Sequence, residues 1–439
     1  MVKPVVAIVG RPNVGKSTLF NRLSGNRISI VEGEPNVTRD RIYADISWLE
    51  RSFMLIDTGG MEPLNQDLIK NKIKYQAELA IAEADLILFV VDGRSGLTET
   101  DREVAQILRK TNKKVILVLN KIEDFSILEQ IKWEFYSLGF NEPLPISAEH
   151  GKNTGDLLDL IIQCFPESTE EVEPTSDLLN IAIVGKPNVG KSSLVNYIVG
   201  DERVIVSAIP GTTRDAVDTL VERGDIKYNL IDTAGLRRKA RVKSSVEYYS
   251  AIRTIRAVER ADAVLMMVDA TEGITAQDKK IVGYAHDHGK AIVIAVNKWD
   301  LIEKDHKTMD LYREEIYLQL KFLRYAPITF ISAITGERIP EVLNLLEHVI
   351  DQTQQRIKTG VLNEVLEEAI QLREPPGKKG KRLKLYYATQ LGIKPPTFAF
   401  FVNDPKLMHF SYQRYLENIL RQAFGFIGTT IRFKLRERN

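Results

Sequence analysis

The stretch Gly10-Arg11-Pro12-Asn13-Val14-Gly15-Lys16-Ser17-Thr18 recurs 175 residues later as Gly185-Lys186-Pro187-Asn188-Val189-Gly190-Lys191-Ser192-Ser193. Each copy follows an apolar run that reads as a buried strand, Val5–Val9 or Ile181–Val184. Each precedes a helical pattern that starts at Leu19 or Leu194. A strand, a glycine-rich loop and a helix in that order make a phosphate cradle from backbone N–H groups and a helix N-terminus. The lysine of such a loop reaches the β- and γ-phosphates, and the first hydroxyl residue after it ligates magnesium. Two copies in matching contexts require two nucleotide-sized α/β units in one chain.

The duplication extends beyond the loops. Asp57-Thr58-Gly59-Gly60 returns as Asp232-Thr233-Ala234-Gly235, and Thr38-Arg39-Asp40 as Thr213-Arg214-Asp215, both at the same offset of 175. Asn120-Lys121-Ile122-Glu123 returns as Asn297-Lys298-Trp299-Asp300 at 177, and Ser147-Ala148 as Ser332-Ala333 at 185. Between these landmarks strands alternate with helical periods, which predicts mostly parallel sheets with helices on both faces. Strands are expected at Ile28–Val31, Ser52–Ile56, Leu86–Val91, Lys114–Leu119 and Pro145-Ile146, and helices at Asp101–Lys110 and Asp156–Cys164. The divisions read as 1–166 and 179–352, joined by an acidic linker over 167–178, with a different, smaller α+β domain over 353–439. In that last domain the order is a helix (Asn363–Leu372), two strands (Leu383–Gln390 and Thr397–Val402), a helix (Tyr412–Phe424) and a last strand (Thr430–Leu435). Pro375–Gly380 reads as a basic loop, and Gly425-Phe426-Ile427-Gly428 as a turn.

Charge separates the last domain from the rest. Residues 353–439 hold 16 Lys and Arg against 7 Asp and Glu, a net +9, whereas the remaining residues hold 44 against 52, a net −8. A basic end on an acidic body points to a polyanionic partner. Lys378, Lys379, Lys381, Arg382 and Lys384 are the candidate phosphate contacts. Tyr386, Tyr387, Phe398, Phe400 and Phe401 could stack bases but fit core packing better. The apolar runs are too short to span a bilayer, no export signal or lipidation motif is visible, and the single Cys164 excludes an internal disulfide. A cytoplasmic, monomeric protein is expected.

The Asn-Lys-x-acid motif selects the base. A carboxylate at Asp300 accepts from the N1–H and exocyclic amine of guanine, a donor pair that adenine lacks. Glu123 stands at the equivalent place in the first copy and keeps the carboxylate on a longer arm, so guanine is expected in both sites. Asn120, Lys121, Asn297 and Lys298 complete these motifs, and Ser147-Ala148 and Ser332-Ala333 would present N–H groups near the guanine carbonyl. Phosphate contacts are expected from Gly10, Asn13, Val14, Gly15, Lys16, Ser17, Thr18 and Gly60, and from Gly185, Asn188, Val189, Gly190, Lys191, Ser192, Ser193 and Gly235. Magnesium is expected on Ser17, Thr38 and Asp57, and on Ser192, Thr213 and Asp232. The residues after Gly60 and Gly235 are Met61 and Leu236, where many switch proteins carry a water-orienting Gln.

Taken together, these motifs resemble translation-factor-like GTPases. The tandem pair, the basic C-terminal domain and Gly235-Leu236-Arg237-Arg238-Lys239 are similar to one family, Der (also called EngA), over essentially the whole chain. The resemblance implies two tandem P-loop GTPase domains with a KH-like C-terminal domain, and magnesium-dependent conversion of GTP to GDP and phosphate. It also implies potassium bound near the phosphates by Asn13 and Asn188, and a role in assembly or maturation of the large ribosomal subunit through rRNA. The Gly-x-x-Gly of a KH domain belongs between two helices; Gly425–Gly428 instead joins a helix to a strand, so no clamp is expected there. Alternatives are a GTP-controlled signalling or membrane-associated switch, and a tRNA-modifying GTPase, which would need extra catalytic domains.

Overall fold

The structure, a computed structural model, describes residues 3–25, 43–49, 51–58, 77–78, 80–82, 84–124, 128–165, 178–200, 205–207, 218–224, 226–231, 246–375, 377–378 and 381–437. The expected strand over 28–31 and the acidic linker lie outside the described residues. The chain divides into two compact units, 1–173 and 174–439.

In the first unit the elements run β1 (Val5–Val9), α1 (Lys16–Ser24), β2 (Tyr43–Trp48), β3 (Arg51–Asp57), β4 (Leu86–Asp92), α2 (Glu99–Arg109), β5 (Lys114–Asn120), α3 (Leu128–Tyr136), β6 (Leu144–Pro145) and α4 (Thr154–Gln163). The six strands are ordered β2-β3-β1-β4-β5-β6. Among the described residues only the β2–β3 pair is antiparallel. β1 and β4 are buried along their whole length, which is why they read in the sequence as unbroken apolar runs rather than alternating ones. β2, which among the described residues pairs only with β3, shows no such run, since Asp45 and Ser47 are exposed between Ala44, Ile46 and Trp48. Helix α2 starts where Thr98 and Asp101 cap each other's backbone, a capping box. Cys164, at the end of α4, is half-buried, and burial raises its thiol pKa, as suits an inert packing residue.

The second unit repeats the plan. It contains β7 (Leu178–Val184), α5 (Lys191–Gly200), β8 (Ile205–Ser207), β9 (Thr219–Arg223), β10 (Ile226–Ile231), α6 (Val246–Arg260), β11 (Ala263–Asp269), α7 (Ala276–Asp287), β12 (Ala291–Asn297), α8 (Thr308–Gln319), β13 (Ile328–Phe330) and α9 (Ile339–Gln354). Seven strands are ordered β13-β12-β11-β7-β10-β9-β8. The last residues add α10 (Thr359–Leu372), a short hairpin of β14 (Gly377–Lys378) and β15 (Lys381–Arg382), β16 (Leu385–Gly392), β17 (Thr397–Val402), α11 (Phe410–Phe424) and β18 (Arg432–Glu437). β16, β17 and β18 form one sheet whose Phe398 and Phe400 pack with Leu362, Leu366, Leu416 and Leu420 of α10 and α11.

One expectation is corrected here, and the core reading of the aromatics holds for two of them. Within the segment expected as a basic loop, Gly377-Lys378 pairs antiparallel with Lys381-Arg382. Of the five aromatics considered for base stacking, Phe398 and Phe400 are fully buried core, while Tyr387 and Phe401 stack on each other at 4.2 Å.

The turn at Gly425–Gly428 joins this last sheet to the second α/β sheet. Ile292 N–H donates to the Gly428 carbonyl at 2.7 Å, and Gly428 N–H to the Tyr325 carbonyl at 2.8 Å. Phe426 is fully buried, and its N–H donates to Gln352 Oε1 at 2.7 Å. Arg421 lies over the Tyr325 ring at 4.4 Å and donates to the Phe426 and Thr429 carbonyls. Gly428 has φ +72°, and a Cβ there would overlap Val349, so the contact requires glycine.

Candidate nucleotide-binding sites

Each glycine-rich loop is shaped by what surrounds it. Gly10 lies so close to the Val90 carbonyl that a Cβ would overlap it, and at Gly185 a Cβ would lie 2.5 Å from the Met267 carbonyl. Gly15 (φ +93°) and Gly190 (φ +103°) adopt left-handed backbone, and a Cβ on either would overlap the amide nitrogen of Asn120 or Asn297. Those asparagines are the braces of the two sites. Asn120 Nδ2 donates to the Val14 carbonyl at 2.8 Å, and its Oδ1 accepts from Ala148 N–H at 3.0 Å. Asn297 does the same to Val189 at 2.7 Å and Ala333 at 2.8 Å. One amide therefore ties the phosphate loop to the Ser-Ala segment, so the phosphate and base ends of each pocket hold a fixed spacing. The N–H groups of Ala148 and Ala333 are engaged with the asparagine in this structure. Ser147 Oγ accepts from His150 N–H at 3.3 Å, and Ser332 Oγ from Thr335 N–H at 3.2 Å.

At the phosphate end, Lys16 Nζ donates to the Gly10 and Arg11 carbonyls at 2.7 and 2.8 Å. Lys191 Nζ donates to Gly185 and Lys186 at 2.5 and 2.6 Å. Each ammonium is thus held against its own loop, on a lysine only 8% exposed. Val14 and Val189 are fully buried under the loops, while Asn13, Ser17 and Thr18 are exposed and Ser192 and Ser193 half-buried. Ser17 Oγ donates to Asp57 Oδ2 at 2.7 Å, with Asp57 only 2% exposed. A hydroxyl and a carboxylate converging at one point are the hard oxygen donors magnesium takes. The first site therefore fits that ion. Thr38, Gly60, Met61, Thr213, Asp232, Gly235 and Leu236 lie outside the described residues.

Asn13 (φ +66°) and Asn188 (φ +64°) are left-handed, a conformation asparagine tolerates better than most residues. Their side chains are exposed and make no hydrogen bond with a described residue, which leaves two amide oxygens available to a cation.

At the base end, Lys121 and Lys298 are also left-handed, at φ +69° and +63°. Lys121 Nζ donates to the Asn13 carbonyl and to Asp92 Oδ2, both at 2.7 Å. Lys298 Nζ pairs with Asp269 Oδ2 at 2.6 Å. Asp92 and Asp269 are site residues that the motif reading missed. Each closes a buried strand and sits 177 residues from its copy, the offset of the asparagines, so the duplication itself carried the signal. Burial pushes the Asp92 carboxyl up, but hydrogen bonds from Lys121, Arg94 N–H and Ser95 N–H outweigh it and hold the group below the usual carboxylate range. Burial, then Lys298 and Thr271, act on Asp269 with the same net direction. Both carboxylates therefore stay charged and keep the lysines in place.

Glu123 and Asp300 are both exposed. Of the basic residues, Lys381, Arg382 and Lys384 are exposed, and Arg382 pairs with Glu374 at 3.1 Å. Lys378 belongs to the hairpin, and Lys379 lies outside the described residues.

Residues 5–121 and 180–298 each match a family described as 50S ribosome-binding GTPase. Residues 356–436 match the KH-domain-like C-terminal region of EngA bacterial GTPase enzymes. The chain is 69% identical over 438 residues to GTPase Der of Halothermothrix orenii, covering 100% of both chains. The chain belongs to the Der (EngA) family of GTPases. GTPase Der of Moorella thermoacetica is 56% identical with 99% of each chain covered, and that of Acetivibrio thermocellus 56% with 100% of this chain and 99% of the relative covered. As a Der-family member the protein binds GTP and hydrolyses it to GDP and phosphate, and its two α/β halves are the GTPase folds of the family. Among the described residues no helix is long and apolar enough to cross a membrane.

Proposed function

We propose that the protein is a two-site GTP switch acting in the cytoplasm, as a monomer, in assembly or maturation of the large ribosomal subunit. The observation that carries this reading is the doubled site, in which one asparagine ties the phosphate loop to the base end in each copy. The functional divisions are 1–166, 179–352 and 353–439, with the acidic linker between the first two. The glycine-rich loops, with Lys16 and Lys191, take the phosphates; Thr38, Gly60, Thr213, Asp232 and Gly235 complete the sites. Ser17 with Asp57, and Ser192 with Asp232, would hold magnesium, which when bound neutralises charge on the β- and γ-phosphates. Asn120, Lys121, Glu123, Ser147 and Ala148 receive guanine in the first site; Asn297, Lys298, Asp300, Ser332 and Ala333 receive it in the second. Asp92 and Asp269 hold the Lys121 and Lys298 ammonium groups in place before ligand arrives, which supports a base site on these lysines.

Lys378, Lys379, Lys381, Arg382 and Lys384 are the candidate rRNA contacts, supported by the net +9 of the last 87 residues. Phosphate contacts of this kind make binding salt-dependent. The family description of a 50S ribosome-binding GTPase supports the same partner. Sedimentation with large ribosomal subunits should depend on whether the protein carries GTP, GDP or a non-hydrolysable analogue. Identical or absent association in all three states at low salt overturns this reading.

Asn13 and Asn188 would hold potassium, which when bound supplies positive charge where a water-orienting Gln is missing. Hydrolysis is expected to run at least about tenfold faster in potassium than in sodium buffer, a difference of roughly 1.4 kcal/mol in the barrier. Equal turnover in the two salts removes these asparagines from that role.

A further inference from the structure

The two sites differ at one corner. In the second, Asp300 is exposed and makes no ion pair with a described residue. In the first, Glu123 is held. Arg94 Nη2 donates to Glu123 Oε1, and His150 Nε2 stands 3.6 Å from the same oxygen. Lys152 Nζ donates to the backbone carbonyl of Glu123 at 2.9 Å. Arg94 is itself anchored, because its N–H donates at 3.0 Å to Asp92 Oδ1, the carboxylate whose other oxygen takes Lys121. At the corresponding positions the second copy has Thr271 in place of Arg94 and Thr335 in place of His150. Thr271 repeats the backbone turn on Asp269, at 2.9 Å, but it offers no cation. Within one chain, Glu occurs with Arg and His, and Asp with two threonines.

We propose that Arg94 is a positioning residue for guanine in the first site, holding Glu123 so that the longer carboxylate stands ready where Asp300 needs no help. The proposal rests on the reading of Glu123 as the guanine acceptor. Glutamate has one more methylene and one more torsion than aspartate, and freezing that torsion when ligand arrives lowers affinity. Pinning Oε1 beforehand removes that loss. Oε2 accepts no hydrogen bond from a described residue, and Oε1 keeps a second lone pair, so both oxygens can meet the donor pair of the base. Arg94 and Glu123 are 58% and 45% exposed, and an ion pair that open to water adds little to folding. What the pair fixes is a direction.

The experiment uses the full chain carrying Asp300→Ala, which confines guanine recognition to the first site, and titrates GDP and IDP, the second lacking the exocyclic amine. Arg94→Ala is expected to weaken GDP by about five- to tenfold and IDP by clearly less, narrowing the discrimination between them. In a Glu123→Asp background, where the shorter side chain falls short of Arg94, the same substitution should cost less than about twofold. Unchanged GDP affinity in Arg94→Ala, with a large loss in Glu123→Ala, overturns the proposal while leaving the guanine contact standing. An equal loss of GDP and IDP that persists with Asp at 123 assigns Arg94 to loop structure and also overturns it. Unchanged GDP affinity in Glu123→Ala defeats the underlying reading of the site itself.

Discussion

Alanine at Gly15 is expected to remove guanine nucleotide from the first site and leave the second filled. Two penalties coincide at this position. The backbone is left-handed at φ +93°, which costs an alanine about 1 kcal/mol. The new methyl would also overlap Asn120 Nδ2, and Asn120 cannot yield without giving up its bonds to Val14 and Ala148. Losing two buried hydrogen bonds adds about 2–3 kcal/mol. The total, about 3–4 kcal/mol, corresponds to a few hundredfold or more in affinity. Because the loss is local to one brace, titration with a fluorescent GDP analogue should fall from two equivalents to one. Gly190→Ala should do the reverse through Asn297. Two equivalents bound at unaltered affinity in both variants would show that the brace does not set the loop.

Acidification from pH 7 to pH 5 should destabilise the second unit by about 2 kcal/mol, and His286 should account for it. His286 sits at the contact between the second α/β sheet and the C-terminal sheet, its Nδ1 2.8 Å from the Tyr325 hydroxyl and 3.4 Å from Thr430 Oγ1. Burial, then the Arg421 and Arg432 charges, push its pKa down to about 4. The unfolded chain takes up its proton near pH 6.5, so it binds the proton before the folded state does. Stability from this group is thus complete above pH 6.5 and is lost progressively as pH falls toward 4. Asp287, next in sequence, is half-buried with a raised pKa and works in the opposite direction. Comparison with His286→Gln isolates the histidine, since Asp287 is common to both. Thermal unfolding midpoints that fall equally in parent and variant between pH 7 and 5 would assign the effect elsewhere.

What could be read from the sequence followed from how each element is covered. β1, β4, β11 and β12 are buried on both faces and announce themselves as continuous apolar runs. The phosphate loops and the two asparagines were legible because spacing, not composition, identifies them. β2 was not: Ala44, Ile46 and Trp48 do alternate with exposed Asp45 and Ser47, but so short a pattern holds only one fully buried side chain, Ile46. Asp92 and Asp269 were missed because an aspartate followed by a small residue after a strand looks like any Asx turn; only the lysine folded over it distinguishes it. The Arg94–Glu123 pair joins residues 29 apart, and nothing local couples them. The turn at Gly425–Gly428 was recognisable as a turn, but its partner strand lies far back in the chain.

That turn also fixes the order of the duplicated halves. β5 begins with an exposed Lys114 and a half-buried Val115, whereas its copy β12 begins with Ala291 and Ile292, both fully buried. Gly428 docks at this end of β12, where its carbonyl takes the Ile292 amide. Transposing the two copies would bring the exposed Lys114 end of β5 to the turn in place of a buried apolar pair. The halves descend from one pattern, yet they have ceased to be exchangeable parts. The ancestry shows at the nucleotide, and the individuality shows at the far end of the same strand.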